Sequence, residues 1–126
     1  MEANHPAERL QHLLREASEE GLEETVAVSR DFYKPADYSE MAAIETQVRA
    51  QQQDLVTQVS AVWGPPRFEG NWNHQDFPNW AAIESIKLSY WERPSAKVAY
   101  IAVVKHDKEL PYLLVLGAKK LGDSSK

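Results

Sequence analysis

The sequence contains no cysteine, which excludes a disulfide scaffold, thiolate zinc or iron–sulfur sites and a cysteine nucleophile. It also has no apolar run near the roughly 18–20 residues that cross a bilayer. The N-terminal segment is acidic, whereas a signal peptide begins with basic and then apolar residues. These absences predict a cytoplasmic protein with no membrane partner.

Motifs of the common enzyme classes are absent as well. The five glycines are never clustered, so there is no glycine-rich phosphate loop. Neither a Gly-x-Ser-x-Gly nucleophile elbow nor a His-Glu-x-x-His zinc motif occurs. The sequence therefore favours a protein that is not an enzyme, and we predict no catalytic residue, cofactor or metal ion.

The charge of the chain is unevenly distributed. The 126 residues carry a net charge of −5, and the first 24 account for all of it, with seven glutamates against Arg9 and Arg15. The remainder is neutral and lacks the basic footprint of nucleic-acid-binding proteins. Nucleic acid is therefore not an expected partner, whereas the acidic N-terminal segment could steer a basic protein.

The N-terminal part predicts a helix over residues 5–20, capped by Asn4, with Pro6 in its first turn and Gly21 as its stop. Its apolar stripe is narrow and consists of Leu10, Leu13, Leu14 and Ala17.

A strand is predicted over residues 25–33, because apolar and polar residues alternate there. Val26, Val28 and Phe32 share the side that we expect to be buried. Pro35 should end this strand, since proline cannot donate into a strand ladder.

A long helix is predicted over residues 37–63. Asp37 and Glu40 have the spacing of a capping box, and the stop is Gly64-Pro65-Pro66. Gln51–Gln53 interrupt the apolar stripe and indicate either its rim or a contact surface. The stripe itself consists of Met41, Ile44, Val48, Leu55, Val59 and Val62.

Residues 82–118 predict a β-meander, since three strand-like runs are separated by loops of hairpin length. The runs at 98–104 and 112–116 are apolar on both sides, which indicates that both sheet faces are covered. A further short strand is expected near Phe68, and residues 122–126 are expected to be a flexible tail.

Together these elements predict an α+β two-layer sandwich. An antiparallel sheet of about four strands is covered by the long helix, with the N-terminal helix added. We expect residues 1–121 to form a single domain. A second copy of the chain could cover the remaining sheet face, so a homo-oligomer is also possible.

An aromatic loop over residues 67–81 is the main candidate binding site. Large aromatic rings mixed with neutral amides are typical of protein interfaces. Trp63 and Trp91 are expected in the core, whereas core and interface are equally expected for Trp72 and Trp80. The candidate binding residues are Trp72, Asn73, His74, Gln75, Asp76, Phe77 and Trp80.

Two histidines have an acidic neighbour: His74 with Asp76, and His106 with Asp107. Such pairs can form a general base with its orienting carboxylate or half of a metal site. Both pairs lie in turn-like segments, and we expect ordinary turn residues at both.

A helix that ends in Trp63-Gly64-Pro65-Pro66 and leads into antiparallel strands resembles the small lipoprotein and β-lactamase-inhibitor folds over residues 40–117. The compact acidic chain also resembles bacterial immunity proteins against toxins. The resemblance implies a helix on a sheet and a protein partner. This chain has no tandem repeat, and the resemblance does not assign it to a family.

Three functions remain open at this point. The first is a non-enzymatic protein-binding domain, similar to an immunity or adaptor protein, that uses the aromatic loop. The second is a small-molecule-binding domain or minor enzyme with a pocket between helix and sheet, walled by Trp72, Trp80 and Tyr90, with His74 or Glu84 as the polar group. The third is a homodimer in which the aromatic loop is the self-interface.

Overall fold

A computed structural model describes residues 5–29, 35–81, 84–106 and 111–121. Its strands form one antiparallel sheet in the order β1-β5-β4-β3-β2. The predicted α+β architecture is confirmed, with five strands in the described residues because the short segment at Phe68 is also paired. The elements are α1 (Pro6–Glu16), β1 (Leu22–Val28), α2 (Pro35–Trp63), β2 (Phe68–Gly70), β3 (Ser85–Arg93), β4 (Lys97–Val104) and β5 (Leu113–Lys120).

Helix α1 is shorter than predicted and has a different cap. Its N-cap is His5, whose Nδ1 accepts a hydrogen bond of 3.0 Å from the backbone N–H of Ala7. The prediction of Asn4 as the cap is therefore wrong, and Asn4 itself lies outside the described residues. The helix ends at Glu16 rather than at residue 20. Glutamates beyond that point would oppose the negative end of the helix dipole.

Strand β1 begins earlier than predicted, and the side expected to be buried is exposed. Val26 and Val28 are 38% and 61% exposed, whereas Ala27 packs against the core. The pairing of β1 with β5 shifts register between Thr25 and Ala27, and such a bulge changes which side chains face the core. The rest of the predicted strand, including Phe32, lies outside the described residues.

Helix α2 begins at Pro35, so the predicted cap Asp37 lies inside its first turn and the capping-box prediction is wrong. Proline is well suited to a first helical position because its missing N–H has no intrahelical partner there. The predicted end is confirmed: the helix stops at Trp63, and Gly64 has a φ of +87°. In the described residues, neither helix is both long and apolar enough to cross a membrane.

The core side of α2 keeps five of the six predicted stripe residues: Val48 and Val59 are buried, and Met41, Ile44 and Leu55 pack against the core. Val56 is 2% exposed and Gln52 is fully buried, whereas Val62 is 59% exposed and lies outside the core. The buried positions 48, 52, 56 and 59 recur at steps of four, four and three, which keeps them on one face of a helix.

The two faces of the sheet are covered by different parts of the chain. Along β4, Ala99, Ile101 and Val103 join the cluster that contains residues of both α1 and α2. The alternate residues Ala102 and Val104 join a second cluster, because successive side chains of a strand point to opposite faces. Parts of the aromatic loop pack on that second cluster. The helices therefore share one face, and the aromatic loop covers part of the other.

Candidate functional site

The aromatic loop is held to strand β3 at its beginning. Strand β2 pairs Phe68 with Tyr90 and Gly70 with Leu88. Immediately after β2, the backbone N–H of Trp72 donates to the carbonyl of Ser85 over 3.2 Å. The start of the loop is therefore fixed to the sheet by backbone hydrogen bonds.

The inner aromatic residues of the loop pack against the sheet. Phe77 and Trp80 are both half-buried. The Phe77 ring makes an edge contact with Phe68 at a centroid distance of 6.2 Å. The Trp80 ring lies 5.0 Å from that of Tyr90 and 5.7 Å from that of Tyr100. Such contacts stabilise beyond their buried area, so these predicted binding residues serve to anchor the loop.

The outer residues of the loop face outward. Trp72 is 55% exposed, and Asn73, His74, Gln75 and Asp76 are exposed as well. Backbone hydrogen bonds of 3.0 Å close successive turns, from His74 to the carbonyl of Asn71 and from Phe77 to the carbonyl of His74. The seven predicted residues thus divide into an exposed group of five and a packed pair.

His74 is a turn residue in this loop. Its Nδ1 accepts a hydrogen bond of 3.0 Å from the backbone N–H of Asp76, so its recorded contact with Asp76 is to the main chain and not to the carboxylate. Its ring packs edge-on against Phe68 at 5.2 Å. For the second pair, Asp107 lies outside the described residues. Within the described part of the chain, no group of three or more His, Asp or Glu residues could hold a metal ion.

Trp91 lies in the core and Trp63 packs half-buried against it, as predicted. Trp91 is 3% exposed, and its Nε1 donates to the carbonyl of Gly64 over 2.9 Å. The two indole rings meet edge-on at 6.0 Å, and the guanidinium of Arg93 lies 4.0 Å from the Trp63 ring centroid. These tryptophans join the end of α2 to the sheet.

A buried polar network joins α2 to the sheet and was missed in the sequence. The Gln52 amide donates to Ser89 Oγ (3.1 Å) and to the carbonyl of Ile101 (2.9 Å). Its oxygen accepts from Lys87 Nζ over 2.6 Å, and burial lowers the pKa of Lys87. The prediction that this glutamine marks a rim or contact surface is therefore wrong. Its four-residue spacing from Val48 was the available signal.

A cleft of about 440 Å³ lies on the sheet face away from the helices, with Leu88, Ala102 and Val104 among its lining residues. The predicted pocket walls are incorrectly placed, because Tyr90 and Trp80 belong to this face and not to the space under α2. Of the three predicted walls, Trp80 alone lines the cleft.

Two residues of this cleft were not predicted. Tyr100 donates its hydroxyl to a carboxylate oxygen of Glu23 over 2.5 Å, which joins β4 to β1 across β5. The Tyr100 ring lies directly over Gly117, where an added Cβ would fall 2.1 Å from a ring carbon. The available sequence signal was this glycine inside an apolar strand, because such a glycine often marks a close approach of another group.

No family model, no curated protein and no solved structure matches this chain.

Proposed function

We propose that the chain is a small, cytoplasmic, non-enzymatic protein-binding domain, similar in role to an immunity or adaptor protein, and that Trp72 is its central contact. The observation that carries this proposal is the 55% exposure of Trp72 on a loop whose Phe77 and Trp80 are packed. Exposed tryptophans dominate many protein interfaces. A loop that is already ordered loses less conformational entropy when it binds.

The polar neighbours of Trp72 support the same function. Asn73 and Gln75 are exposed amides, and amide side chains can donate and accept hydrogen bonds with a partner's backbone. The flanking rim of an interface is commonly polar in this way. Trp72 therefore has uncharged hydrogen-bonding side chains close to it in the loop.

The acidic N-terminal segment supports a partner of basic character. Glu20 and Glu23 border the same cleft as Trp80, so two carboxylates of this segment lie on the side of the molecule that carries the loop. Complementary charge raises association rates and fixes orientation more than it raises affinity. We expect association to slow as salt concentration increases.

The test places a photo-crosslinking amino acid, p-benzoylphenylalanine, at position 72 of the full chain in its native host. The matched control carries it at position 62, since Val62 is similarly exposed at 59% but belongs to α2. We expect position 72 to crosslink a specific second protein that position 62 does not. Trp72→Ala should lose capture of that same protein.

Two results would contradict the proposal. If positions 72 and 62 give the same crosslinked species, the loop has no special role. If position 72 yields only a species of twice the chain mass, and Trp72→Ala converts a dimer to a monomer on a sizing column, the loop is a self-interface.

A further inference from the structure

The cleft beside the aromatic loop is lined largely by residues outside the loop. Its described lining joins three distant parts of the chain: the segment around Gly21, the end of the loop at Trp80, and the sheet at Tyr100. A volume of about 440 Å³ lies in the range of small-molecule sites. Trp72 is not part of it, so an inference from the cleft does not depend on the function proposed above.

Two neighbouring aromatic rings, those of Trp80 and Tyr100, line the cleft. The rings of Trp80 and Tyr100 lie 5.7 Å apart at an interplanar angle of 44°, so they present two surfaces that are inclined to each other. The Tyr100 ring is held in place by Gly117 beneath it and by its hydroxyl bond to Glu23. Inclined aromatic surfaces of this kind attract cations through their π-electrons.

Carboxylates also line the cleft, and that of Glu23 accepts the hydrogen bond from the Tyr100 hydroxyl. Glu20 and Glu23 both line the cleft, and the cation among its lining residues is Lys119. The Lys119 ammonium donates to the backbone carbonyl of Glu19, so it already has a partner within the rim. The cleft therefore joins two carboxylates and two aromatic rings around an apolar floor that includes Leu88.

We propose that this cleft is a binding site for an organic cation, an alkylammonium or guanidinium group whose apolar stem lies on the floor. The cation would contact the Trp80 and Tyr100 rings and pair with the carboxylate of Glu23. A free small molecule and an arginine or lysine side chain of another protein both offer this chemistry.

The test is a titration of the full chain followed by NMR, with N-acetyl-arginine methylamide and tetramethylammonium chloride as probes. The indole N–H of Trp80 is the reporter, assigned with a Trp80→Phe variant. We expect saturable shifts at Trp80 and Tyr100 with both cations. N-acetyl-citrulline methylamide has nearly the shape of the arginine probe without its charge, and we expect it to bind about tenfold more weakly.

Charge variants locate the site. Glu23→Gln keeps an acceptor for the Tyr100 hydroxyl, so the fold is retained, and we expect it to weaken arginine binding about tenfold. Glu92→Gln removes the same charge from an exposed carboxylate beside Arg67 that does not line the cleft, and we expect no change. The proposal is overturned if citrulline binds as well as arginine, if Glu92→Gln weakens binding as much as Glu23→Gln, or if no saturable shift occurs.

Two further measurements are needed. One distinguishes a free cation from a protein side chain, and the other distinguishes this cleft site from the proposed protein-binding loop. A blocked Gly-Gly-Arg-Gly-Gly peptide that binds more tightly than the single blocked arginine assigns the cation to a protein side chain, and equal or weaker binding assigns it to a free molecule. Trp72→Ala should leave arginine binding unchanged. If Trp72→Ala abolishes arginine binding while the fold is intact, the proposed site is wrong, whether or not protein capture fails.

Discussion

The two faces of the sheet are built from different side chains. The face under the helices is filled mainly by aliphatic residues, and Leu10, Val59 and Ile101 are each 0% exposed. The opposite face carries half-buried aromatic rings, such as those of Phe77 and Trp80, around a cleft. The difference indicates that the helix face supplies most of the stability, whereas the loop face is the one to which both proposed binding sites belong.

Trp91 and Trp72 allow the two faces to be compared at the same type of side chain. Trp91 belongs to the helix face and is 3% exposed, whereas Trp72 belongs to the loop and is 55% exposed. Truncation at the two positions should therefore have very different consequences for the free energy of unfolding.

The largest loss in the free energy of unfolding is expected for Trp91→Ala. Truncation of a buried tryptophan usually costs about 3–5 kcal/mol, and here it also leaves the Gly64 carbonyl without the indole donor that it has at 2.9 Å. Urea unfolding followed by far-UV circular dichroism measures the change. A loss below about 1 kcal/mol would show that the helix face is less important for stability than the packing indicates.

A smaller loss is expected for Gly117→Ala, which perturbs the loop face. The new Cβ would fall 2.1 Å from the Tyr100 ring, so this ring must move, and overpacking of this kind costs about 1–3 kcal/mol. In a Tyr100→Ala background the same substitution should cost much less, because the clash is gone. Thermal unfolding of the four proteins gives the coupling energy. Additive effects would show that the ring can move freely.

The ends of helices were predictable where one residue type decides them. Gly64, which adopts a left-handed φ of +87°, and the following prolines, which cannot continue a helix, determine where α2 ends. Its start was missed because Pro35 suits both the end of a strand and the first position of a helix. His5 was missed as a cap because a histidine side chain is an uncommon choice for that position.

The faces of β1 could not be predicted, because the bulge between Thr25 and Ala27 has no mark in the sequence such as glycine. For the loop, local sequence identified the candidate residues but not which of them pack. Phe77 and Trp80 are half-buried through contacts with Phe68, Tyr90 and Tyr100, and those contacts depend on strand pairing.

The cleft could not be predicted either, because its residues also come together only through strand pairing. Glu23 and Tyr100 are separated by 77 positions in sequence, and they meet because β5 lies between β1 and β4 in the sheet. Nothing in a single segment records that order. Residues that form a site across several strands can be identified only once the topology is known.

An alkaline titration compares one tyrosine from each face. Burial, followed by a hydrogen bond to Glu45, raises the pKa of Tyr112 above 10.0, and burial followed by a hydrogen bond to Glu23 raises that of Tyr100. Above pH 10 the unfolded phenols lose their protons while the folded ones keep them. The folded state then binds more protons, so the free energy of unfolding falls as the pH rises, by at most about 1.4 kcal/mol per pH unit for each tyrosine.

In Tyr112→Phe and in Tyr100→Phe, the free energy of unfolding should fall by about 1 kcal/mol less between pH 9 and pH 11 than it does in the wild-type chain. Urea unfolding at both pH values measures it, with the wild-type chain as the reference. An unchanged slope in Tyr112→Phe would show that neither the burial of this hydroxyl nor its 2.8 Å contact with Glu45 persists in solution.

The smallest effect on stability is expected for Trp72→Ala, which is also the change that should abolish capture of a protein partner. Because Trp72 is 55% exposed, its truncation removes little buried surface, and we expect the free energy of unfolding to change by less than about 0.5 kcal/mol. The backbone bond from Trp72 to Ser85 is unaffected by the substitution, so the loop should keep its path. Urea unfolding of Trp72→Ala and of Trp91→Ala measures the two changes in the free energy of unfolding. A loss above about 2 kcal/mol would place Trp72 in the packing of the loop face, and its exposure could then no longer be used as evidence for an interface.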